Sequence, residues 1–430
     1  MTEKEGNDVS YFARTNFRNE KQLFGIKQAD RLSHLYLIGK TGVGKSTLLE
    51  TLARQDIEQG RGFALVDPHG DLVERLAAAI PPAQMTRVVY LDATNPTQPF
   101  GYNPLRRVRD DKIPLAVSGF LETLKKLWPD AWGMRMEHVL RNSLYVLLER
   151  DGSTLPDILR LYSDEDFRKE AIREIRNDVV RRFWESEFEN YPARLRAEAC
   201  APIQNKLGAL LSDPTLYRIL VEPQIDLQFR DIMDGAAVLL VNVSKGVLGE
   251  DSALVLGSFI VSTLGLAGFS RAEMPAQQRE PFFIYLDEFQ NFTTLMLANM
   301  MSELRKYGVG LVLAHQYFHQ LEPDVRHAVL GNAGSLLSFR VGPEDAVLLA
   351  QEFQPKFGVE DLLNLANRSI YLKLMINGAP SRPFSGQSIA MPVAPRKRSR
   401  DGQPEPADHV DEGLFGNTEA RHGSSFAPWD

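Results

Sequence analysis

The sequence predicts an α/β protein with a mainly parallel central sheet and an all-helical domain inserted into it. Short apolar runs that end at polar turns alternate with helical stretches over residues 26–105, which is typical of buried parallel strands. From 106 to 224 the apolar spacing becomes helical, and strand-like runs resume over 225–390. We therefore predict one α/β domain built from 26–105 and 225–390, with an all-α insertion over 106–224.

Both ends of the chain are predicted to lie outside this core. Residues 1–25 are polar without a clear period, and we interpret them as a flexible or peripheral arm. Residues 391–430 are rich in Pro, Arg, Asp, Gly and Ser, a composition that predicts disorder. This tail contains a basic cluster at 396–400 that could contact phosphates, although a solubilising role is the simpler interpretation.

Composition narrows the class of protein. At 430 residues, with 43% hydrophobic and 24% charged residues, the chain has the composition of a globular protein of about two domains. Its single cysteine, Cys200, excludes an internal disulfide framework and a cysteine-based zinc site within this sequence. The net charge of −7 argues against general adhesion to nucleic acid, but leaves open a ring or groove with a concentrated basic surface.

A glycine-rich loop follows the first apolar run, at 35–38. Residues 39–46 read Gly-Lys-Thr-Gly-Val-Gly-Lys-Ser and fit the pattern G-x-x-x-x-G-K-[ST] between a predicted strand and a predicted helix. In this motif successive backbone N–H groups face phosphates, the lysine reaches the β- and γ-phosphates, and the serine hydroxyl binds Mg²⁺. The sequence thus predicts ATP and Mg²⁺ as cofactors, with nucleotide-binding residues Gly39, Thr41, Gly42, Val43, Gly44, Lys45, Ser46 and Thr47.

The strand predicted at 63–66 ends in a turn that reads Asp67-Pro-His-Gly-Asp71. His69 lies in this turn near the predicted site. The turn could shape the nucleotide pocket or serve as a loop at an interface, and the sequence does not separate these alternatives.

Two stretches have both a structural and a functional interpretation. The apolar run 253–269 carries no charge, but it is shorter than the roughly 20 residues of a membrane span and lies between predicted core strands, which favours a buried helix. The basic residues of 168–182 alternate with acidic ones, which favours a solvated helix face over a DNA groove.

An acidic pair ends the apolar run 281–286. ATP hydrolysis needs a carboxylate at a strand end to hold Mg²⁺ and a base or orienter for the attacking water. Asp287 is predicted to act on the magnesium side, together with Ser46, and Glu288 to polarise water. An ordinary acidic turn is the alternative, which the upstream glycine-rich loop disfavours.

Three further residues are candidates for catalysis beside Lys45 and Glu288. Gln316 follows the strand that ends at Ala314-His315 and could sense the γ-phosphate or the water; a buried strand cap is its alternative. Arg305 is a fixed cation that could neutralise transition-state charge in a neighbouring subunit, or form a salt bridge on its own helix. Arg340 is a second candidate for the same role.

Taken together, these segments resemble the FtsK–HerA superfamily of DNA-pumping ATPases, and within it the coupling proteins of conjugative type IV secretion systems. The similarity lies in residues 34–47, 65–72, 242–249, 285–292, 305–308, 314–316 and 339–346. The resemblance implies a RecA-like motor domain that forms a hexamer around DNA, with the helical insertion near the channel entrance. It also implies a trans-acting arginine at Arg305 and a strand-end glutamine at Gln316.

The resemblance has one departure. Membrane-bound coupling proteins begin with transmembrane helices, whereas this sequence reaches its glycine-rich loop within some forty residues without one. We therefore expect no direct membrane span and a cytoplasmic location, with recruitment to the inner membrane by a partner as a further option.

Three functions are compatible with these features. The leading one is an ATP-driven DNA translocase, a homo-hexameric ring acting in conjugative DNA transfer with a relaxase or secretion-channel partner. The second keeps the ATPase but places it with a nuclease partner in DNA processing or defence, as a HerA-like helicase or translocase. The third is a nucleotide-gated docking platform for a protein substrate, in which ATP binding matters more than turnover.

Overall fold

A computed structural model describes residues 8–16, 21–293 and 295–391. Its strands are β1 Val9–Thr15, β2 Leu23–Lys27, β3 Leu35–Ile38, β4 Gly62–Asp67, β5 Val88–Asp92, β6 Phe100–Gly101, β7 Ile225–Asp226, β8 Val238–Asn242, β9 Phe282–Leu286, β10 Val309–His315, β11 Ser335–Ser338, β12 Ser369–Lys373, β13 Met375–Ile376, β14 Ala379–Pro380 and β15 Phe384–Ser388.

The helices are α1 Gln28–Arg31, α2 Lys45–Glu58, α3 Asp71–Ala77, α4 Ile113–Leu127, α5 Met134–Glu149, α6 Leu155–Ser163, α7 Glu165–Arg173, α8 Asp178–Arg182, α9 Ala193–Leu211, α10 Pro214–Leu220, α11 Phe229–Asp234, α12 Lys245–Leu248, α13 Glu250–Ser270, α14 Leu295–Glu303, α15 Pro323–Asn332, α16 Pro343–Phe353 and α17 Val359–Leu363. A π-helical turn, Phe183–Phe188, and 3₁₀ turns at Phe289–Asn291 and Leu304–Tyr307 matter below.

Eleven strands form the main sheet in the order β2-β1-β15-β12-β11-β3-β10-β9-β4-β8-β5. The strands from β11 to β5 run parallel, with Ile38 of β3 beside both His315 and Ser338. Because these strands share a direction, the residues after β3, β9 and β10 meet at one edge of the sheet, where ligands bind in α/β folds. The predicted α/β fold with a mainly parallel sheet is confirmed.

The first residues depart from the prediction of a flexible arm for 1–25. Strands β1 and β2 pair with each other and extend the main sheet, and β1 pairs antiparallel with β15 from the other end of the described chain. Phe12 and Ala13 are buried in that contact. This edge region of the sheet is stabilised by a partner that is distant in sequence, so local periodicity gave no sign of it. The predicted disordered tail lies, beyond Met391, outside the described residues.

The sheet separates two hydrophobic layers. Alternate residues of β3 face opposite sides: Leu35 and Leu37 pack with α2, and Tyr36 and Ile38 face the layer that contains α13 and the helices of 113–220. Helix α13 is long enough and apolar enough to span a membrane, but 78% of its most apolar stretch is buried inside the protein. It is a core helix, as the sequence predicts.

The basic residues of 168–182 are largely paired with acidic ones. Arg176 contacts Asp110 at 2.6 Å, Lys169 contacts Glu165 at 2.5 Å, and Arg181 contacts Asp178 at 2.9 Å. This pairing favours the solvated helix face over the DNA groove.

A buried ion pair fastens α1 to α2. Arg31 and Asp56 are fully buried, with Arg31 Nη2 2.7 Å from Asp56 Oδ2, and the Tyr285 hydroxyl donates to the same carboxylate at 2.5 Å. The Arg31 guanidinium also lies 3.8 Å from the centre of the Phe283 ring. The network ties the chain before the glycine-rich loop to the helix after it and to strand β9.

Removing the carboxylate should be costly. Asp56→Ala is expected to lower the free energy of unfolding by about 3–5 kcal/mol, because it leaves the Arg31 charge buried without its partner. Denaturant titration followed by circular dichroism measures this. Glu58→Ala, two residues later on an exposed position of α2, is the matched control and should change stability by less than about 0.5 kcal/mol. Equal effects of the two variants would contradict a structural role for the pair.

Candidate nucleotide-hydrolysis site

The glycine-rich loop joins β3 directly to α2. Gly42 and Gly44 have φ of 77° and 119°, left-handed backbone that residues with side chains rarely adopt. Helix α2 has no side-chain N-cap, so the N–H groups of its first turn, which includes Lys45, Ser46 and Thr47, are left to a ligand. The loop has the backbone form that a phosphate site needs.

Two other loop positions are fixed by packing. A Cβ on Gly39 would lie 2.6 Å from the Cβ of Phe339, so only glycine fits between β3 and the end of β11. Val43 is buried, and its carbonyl accepts a hydrogen bond of 3.0 Å from the Arg368 N–H. Contacts on both sides therefore hold the loop in shape.

The Lys45 ammonium lies inside the loop. It donates to the carbonyl oxygens of Gly39 at 2.5 Å and Lys40 at 3.0 Å, and the residue is 7% exposed. Burial lowers the pKa of Lys45, and the carboxylates of Asp287 and Glu288 oppose that shift. The charge is thus held at the start of α2, as a phosphate-binding lysine requires.

Ser46 and Asp287 meet at the end of β9. The Ser46 hydroxyl donates to Asp287 Oδ2 at 2.8 Å. Burial raises the pKa of Asp287 to about 6, against the lowering effect of the Ser46 hydrogen bond and of Lys45. A hydroxyl beside a buried carboxylate is an oxygen pair that suits Mg²⁺, which takes its other ligands from phosphates and water. The described part of the chain has no cluster of three or more His, Cys, Asp or Glu that could hold a metal by itself.

Glu288 stands at the centre of a polar chain. Its backbone is left-handed, with φ of 45°, and its side chain is 16% exposed. Glu288 Oε2 lies 2.9 Å from His69 Nε2, and Glu288 Oε1 accepts a hydrogen bond from the Gln316 amide. Gln316 Oε1 in turn accepts from the Thr41 hydroxyl at 2.8 Å. The chain joins the glycine-rich loop, the end of β9 and the end of β10.

His69 is a member of this site that the sequence placed only nearby. The turn that carries it is shaped by Asp67, whose carboxylate accepts the N–H groups of His69, Leu72 and Val73 at 2.9, 2.8 and 3.3 Å. These bonds support the interpretation of 67–71 as a turn that shapes the pocket. The sequence signal was the position of His69 just after strand β4.

The two arginines lie in different places. Arg340 follows β11 close to the glycine-rich loop: its carbonyl accepts the Lys40 N–H at 2.9 Å, and its guanidinium donates to the Leu365 carbonyl and the Asn367 side chain. Arg305 is exposed, just before β10 begins, and within the described residues its side chain makes no hydrogen bond or ion pair. Lys306 next to it pairs with Glu303 instead.

The seven residues of β10 separate Arg305 from Gln316. At about 3.3 Å per residue the strand places them roughly 20 Å apart, at opposite edges of the sheet. Arg305 therefore does not belong to the same site as Gln316 within one subunit, and the alternative of a salt bridge on its own helix finds no support.

Comparison with solved structures places this geometry among known folds. The plasmid coupling protein TrwB in complex with a non-hydrolysable ATP analogue matches with a TM-score of 0.64 and 16% identity, over 90% of this chain and 91% of that chain. TrwB in complex with ADP and Mg²⁺ gives 0.63 and 17% over the same shares. The chain has the fold of the plasmid coupling proteins. VirB4 of Thermoanaerobacter pseudethanolicus follows with 0.59 and 15%, over 89% and 96%.

The sequence comparisons are narrower. A family model described as the TraM recognition site of TraD and TraG matches residues 281–360. That stretch contains Asp287, Glu288, Arg305, Gln316 and Arg340. No match was found among curated proteins. The RecA-like P-loop fold and the resemblance to conjugative coupling proteins, both predicted from the sequence, are confirmed.

Proposed function

We propose that this protein is an ATP-driven DNA translocase of the conjugative coupling-protein type. The observation that carries the proposal is the polar chain Thr41–Gln316–Glu288, set beside Lys45 and the Ser46–Asp287 pair at one edge of the sheet. A protein that only bound nucleotide would need the loop and the metal pair, but not an oriented carboxylate next to them.

The residues divide the chemistry between them. The N–H groups of the loop and the Lys45 ammonium would bind the β- and γ-phosphates of ATP, while Ser46 and Asp287 would hold Mg²⁺. When bound, Mg²⁺ would neutralise phosphate charge. Glu288 accepts a proton from the attacking water, and Gln316 orients that water or senses the γ-phosphate. Complexes of TrwB with ADP and Mg²⁺ and with an ATP analogue support both cofactors.

Arg305 is proposed to complete a site in the next subunit. Among the described residues it is an exposed cation without a hydrogen bond or ion pair, at the strand end opposite the glycine-rich loop, so its reach is toward a neighbour's nucleotide and not its own. Head-to-tail contacts that close form a ring, and such a ring allows the Arg305 surface of each subunit to face the nucleotide of the next. We infer a homo-hexamer from the family resemblance, and Arg340, which lies beside the loop of its own subunit, is the weaker candidate for the trans-acting role.

DNA is the proposed track. The support is the coupling-protein fold together with a hydrolytic site built for turnover. An experiment on the purified protein tests it: ATP-dependent displacement of a triplex-forming strand from duplex DNA, beside salt-dependent DNA binding. Displacement that needs ATP, and binding that weakens steeply with salt, are expected of a motor that grips phosphates. ATP hydrolysis without strand displacement or DNA binding would show that the protein is an ATPase and would contradict DNA as its track.

A protein partner is also proposed. The match of residues 281–360 to a model described as a TraM recognition site supports an accessory protein of the DNA-transfer machinery. A relaxase or a secretion-channel component remains a prediction from the family resemblance, as does recruitment to the inner membrane.

A further inference from the structure

The backbone at Glu288 is held by the residue three positions later. The Asn291 backbone N–H and side-chain amide both donate to the Glu288 carbonyl, at 3.0 and 2.8 Å. Lys245 Nζ in turn donates to Asn291 Oδ1 at 2.5 Å. A residue with a side chain keeps a left-handed conformation only where its surroundings impose it. The 3₁₀ turn Phe289–Asn291 is what imposes it here.

Helix α4 of the helical insertion supplies a second support for this turn. Lys126, at the end of α4, donates to the Gln290 carbonyl at 2.8 Å, to the Asn291 carbonyl at 3.2 Å and to the Thr293 hydroxyl at 2.8 Å. An ammonium has three N–H donors, and this one uses all three on the segment after Glu288. A solvated lysine donates mainly to water, whereas Lys126 donates all three of its hydrogen bonds to one segment of the protein.

The same helix also contacts the start of α14. The Glu122 carboxylate, one turn before Lys126, accepts the Met296 N–H at 3.0 Å. Helix α14 leads directly into the 3₁₀ turn that carries Arg305. One face of α4 therefore contacts the chain that runs from Glu288 to Arg305.

We propose that Lys126 is a positioning residue for Glu288, through which the helical insertion controls ATP hydrolysis. The inference rests on the proposed ATPase function and extends it: a partner or DNA segment that shifts α4 changes the geometry of the turn at Phe289–Asn291, and with it the Glu288 carboxylate. Among the described residues no hydrogen bond or ion pair joins α4 to the glycine-rich loop, so we expect nucleotide binding to stay independent of this route.

Steady-state ATP hydrolysis and equilibrium binding of a fluorescent ATP analogue test the inference. Lys126→Met is expected to lower kcat by about ten- to a hundredfold, since a small displacement of a catalytic group has effects of that size, with KM and analogue affinity within about twofold of wild type. Lys126→Arg should recover part of the lost kcat because it keeps a charged donor. Lys125→Met, the exposed neighbour on α4, is the matched control and should behave as wild type.

The outcomes separate this inference from the proposed function. Wild type that hydrolyses no ATP would overturn the ATPase itself. Active wild type with a Lys126→Met variant whose kcat is unchanged would overturn the positioning role alone. So would a variant whose kcat falls while its KM rises and its melting temperature drops. Should Lys126→Met not fold, Thr293→Val removes one of the three acceptors of Lys126 and leaves α4 unchanged; a smaller loss of kcat at unchanged affinity is then expected, and full kcat in the folded variant would overturn the positioning role.

Discussion

Glu288→Gln is expected to reduce ATP turnover by about 10²–10⁴-fold while leaving nucleotide binding intact. The amide keeps the size of the side chain and can still contact Gln316 and His69, but it cannot accept a proton from water. The phosphate-binding parts, Lys45 and the Ser46–Asp287 pair, are unchanged by this substitution. Loss of turnover with retained affinity is therefore the signature of a catalytic base.

Phosphate release under saturating ATP measures turnover, and titration of a fluorescent analogue measures affinity. Glu58→Gln, an exposed carboxylate at the end of α2, is the control and should leave both unchanged. Lys45→Ala is the contrasting variant: it should weaken nucleotide binding itself, because it removes the charge that meets the phosphates. If Glu288→Gln turned over ATP within about twofold of wild type, Glu288 would not be the base.

Arg305→Ala is expected to reduce turnover by about 10³-fold or more, the range found for arginines that reach a nucleotide from a neighbouring subunit. The residue is exposed, lies roughly 20 Å along β10 from Gln316, and makes no ion pair among the described residues. Lys306→Ala is the neighbouring control, since Lys306 already pairs with Glu303. Arg340→Ala tests the second arginine beside the loop of its own subunit.

Mixing two inactive variants distinguishes a trans-acting arginine from a structural one. In a one-to-one mixture of Arg305→Ala and Glu288→Gln subunits, about a quarter of randomly formed interfaces combine an intact Glu288 with an intact Arg305 from the neighbour. Partial recovery of ATP hydrolysis on mixing is the expected result. Absence of recovery, although the mixed assembly forms by size-exclusion chromatography with light scattering, would count against an interfacial site.

The strands of the parallel sheet could be predicted because each is a short apolar run closed by a polar turn, and every such run between 35 and 374 became a strand. The grouping of the candidate site residues at one edge of the sheet followed from the same pattern, since Gly39, Asp287 and Gln316 each come directly after a strand. Parallel strands bring their carboxyl ends together, so sequence order alone brought these residues close.

The rest depended on contacts between distant parts of the chain. Strands β1 and β15 stabilise each other across more than 370 residues of sequence, and local periodicity does not register such a pairing. Lys125 and Lys126 are adjacent at the end of a helix. Only the folded structure shows that Lys126 is the one that contacts the segment after Glu288. The ion pair between Arg31 and Asp56 was hidden for the same reason, because burial of a charge is a property of the folded surroundings.

Steady-state ATP hydrolysis by the purified protein, measured with and without single- and double-stranded DNA, decides whether the protein is a DNA-dependent motor. We expect strong stimulation by DNA that is lost in Lys45→Ala, Glu288→Gln and Arg305→Ala, and the more effective strand form would identify the track. ATP binding with no response to DNA, and variants that behave as wild type, would contradict a DNA motor and favour a nucleotide-gated docking platform instead.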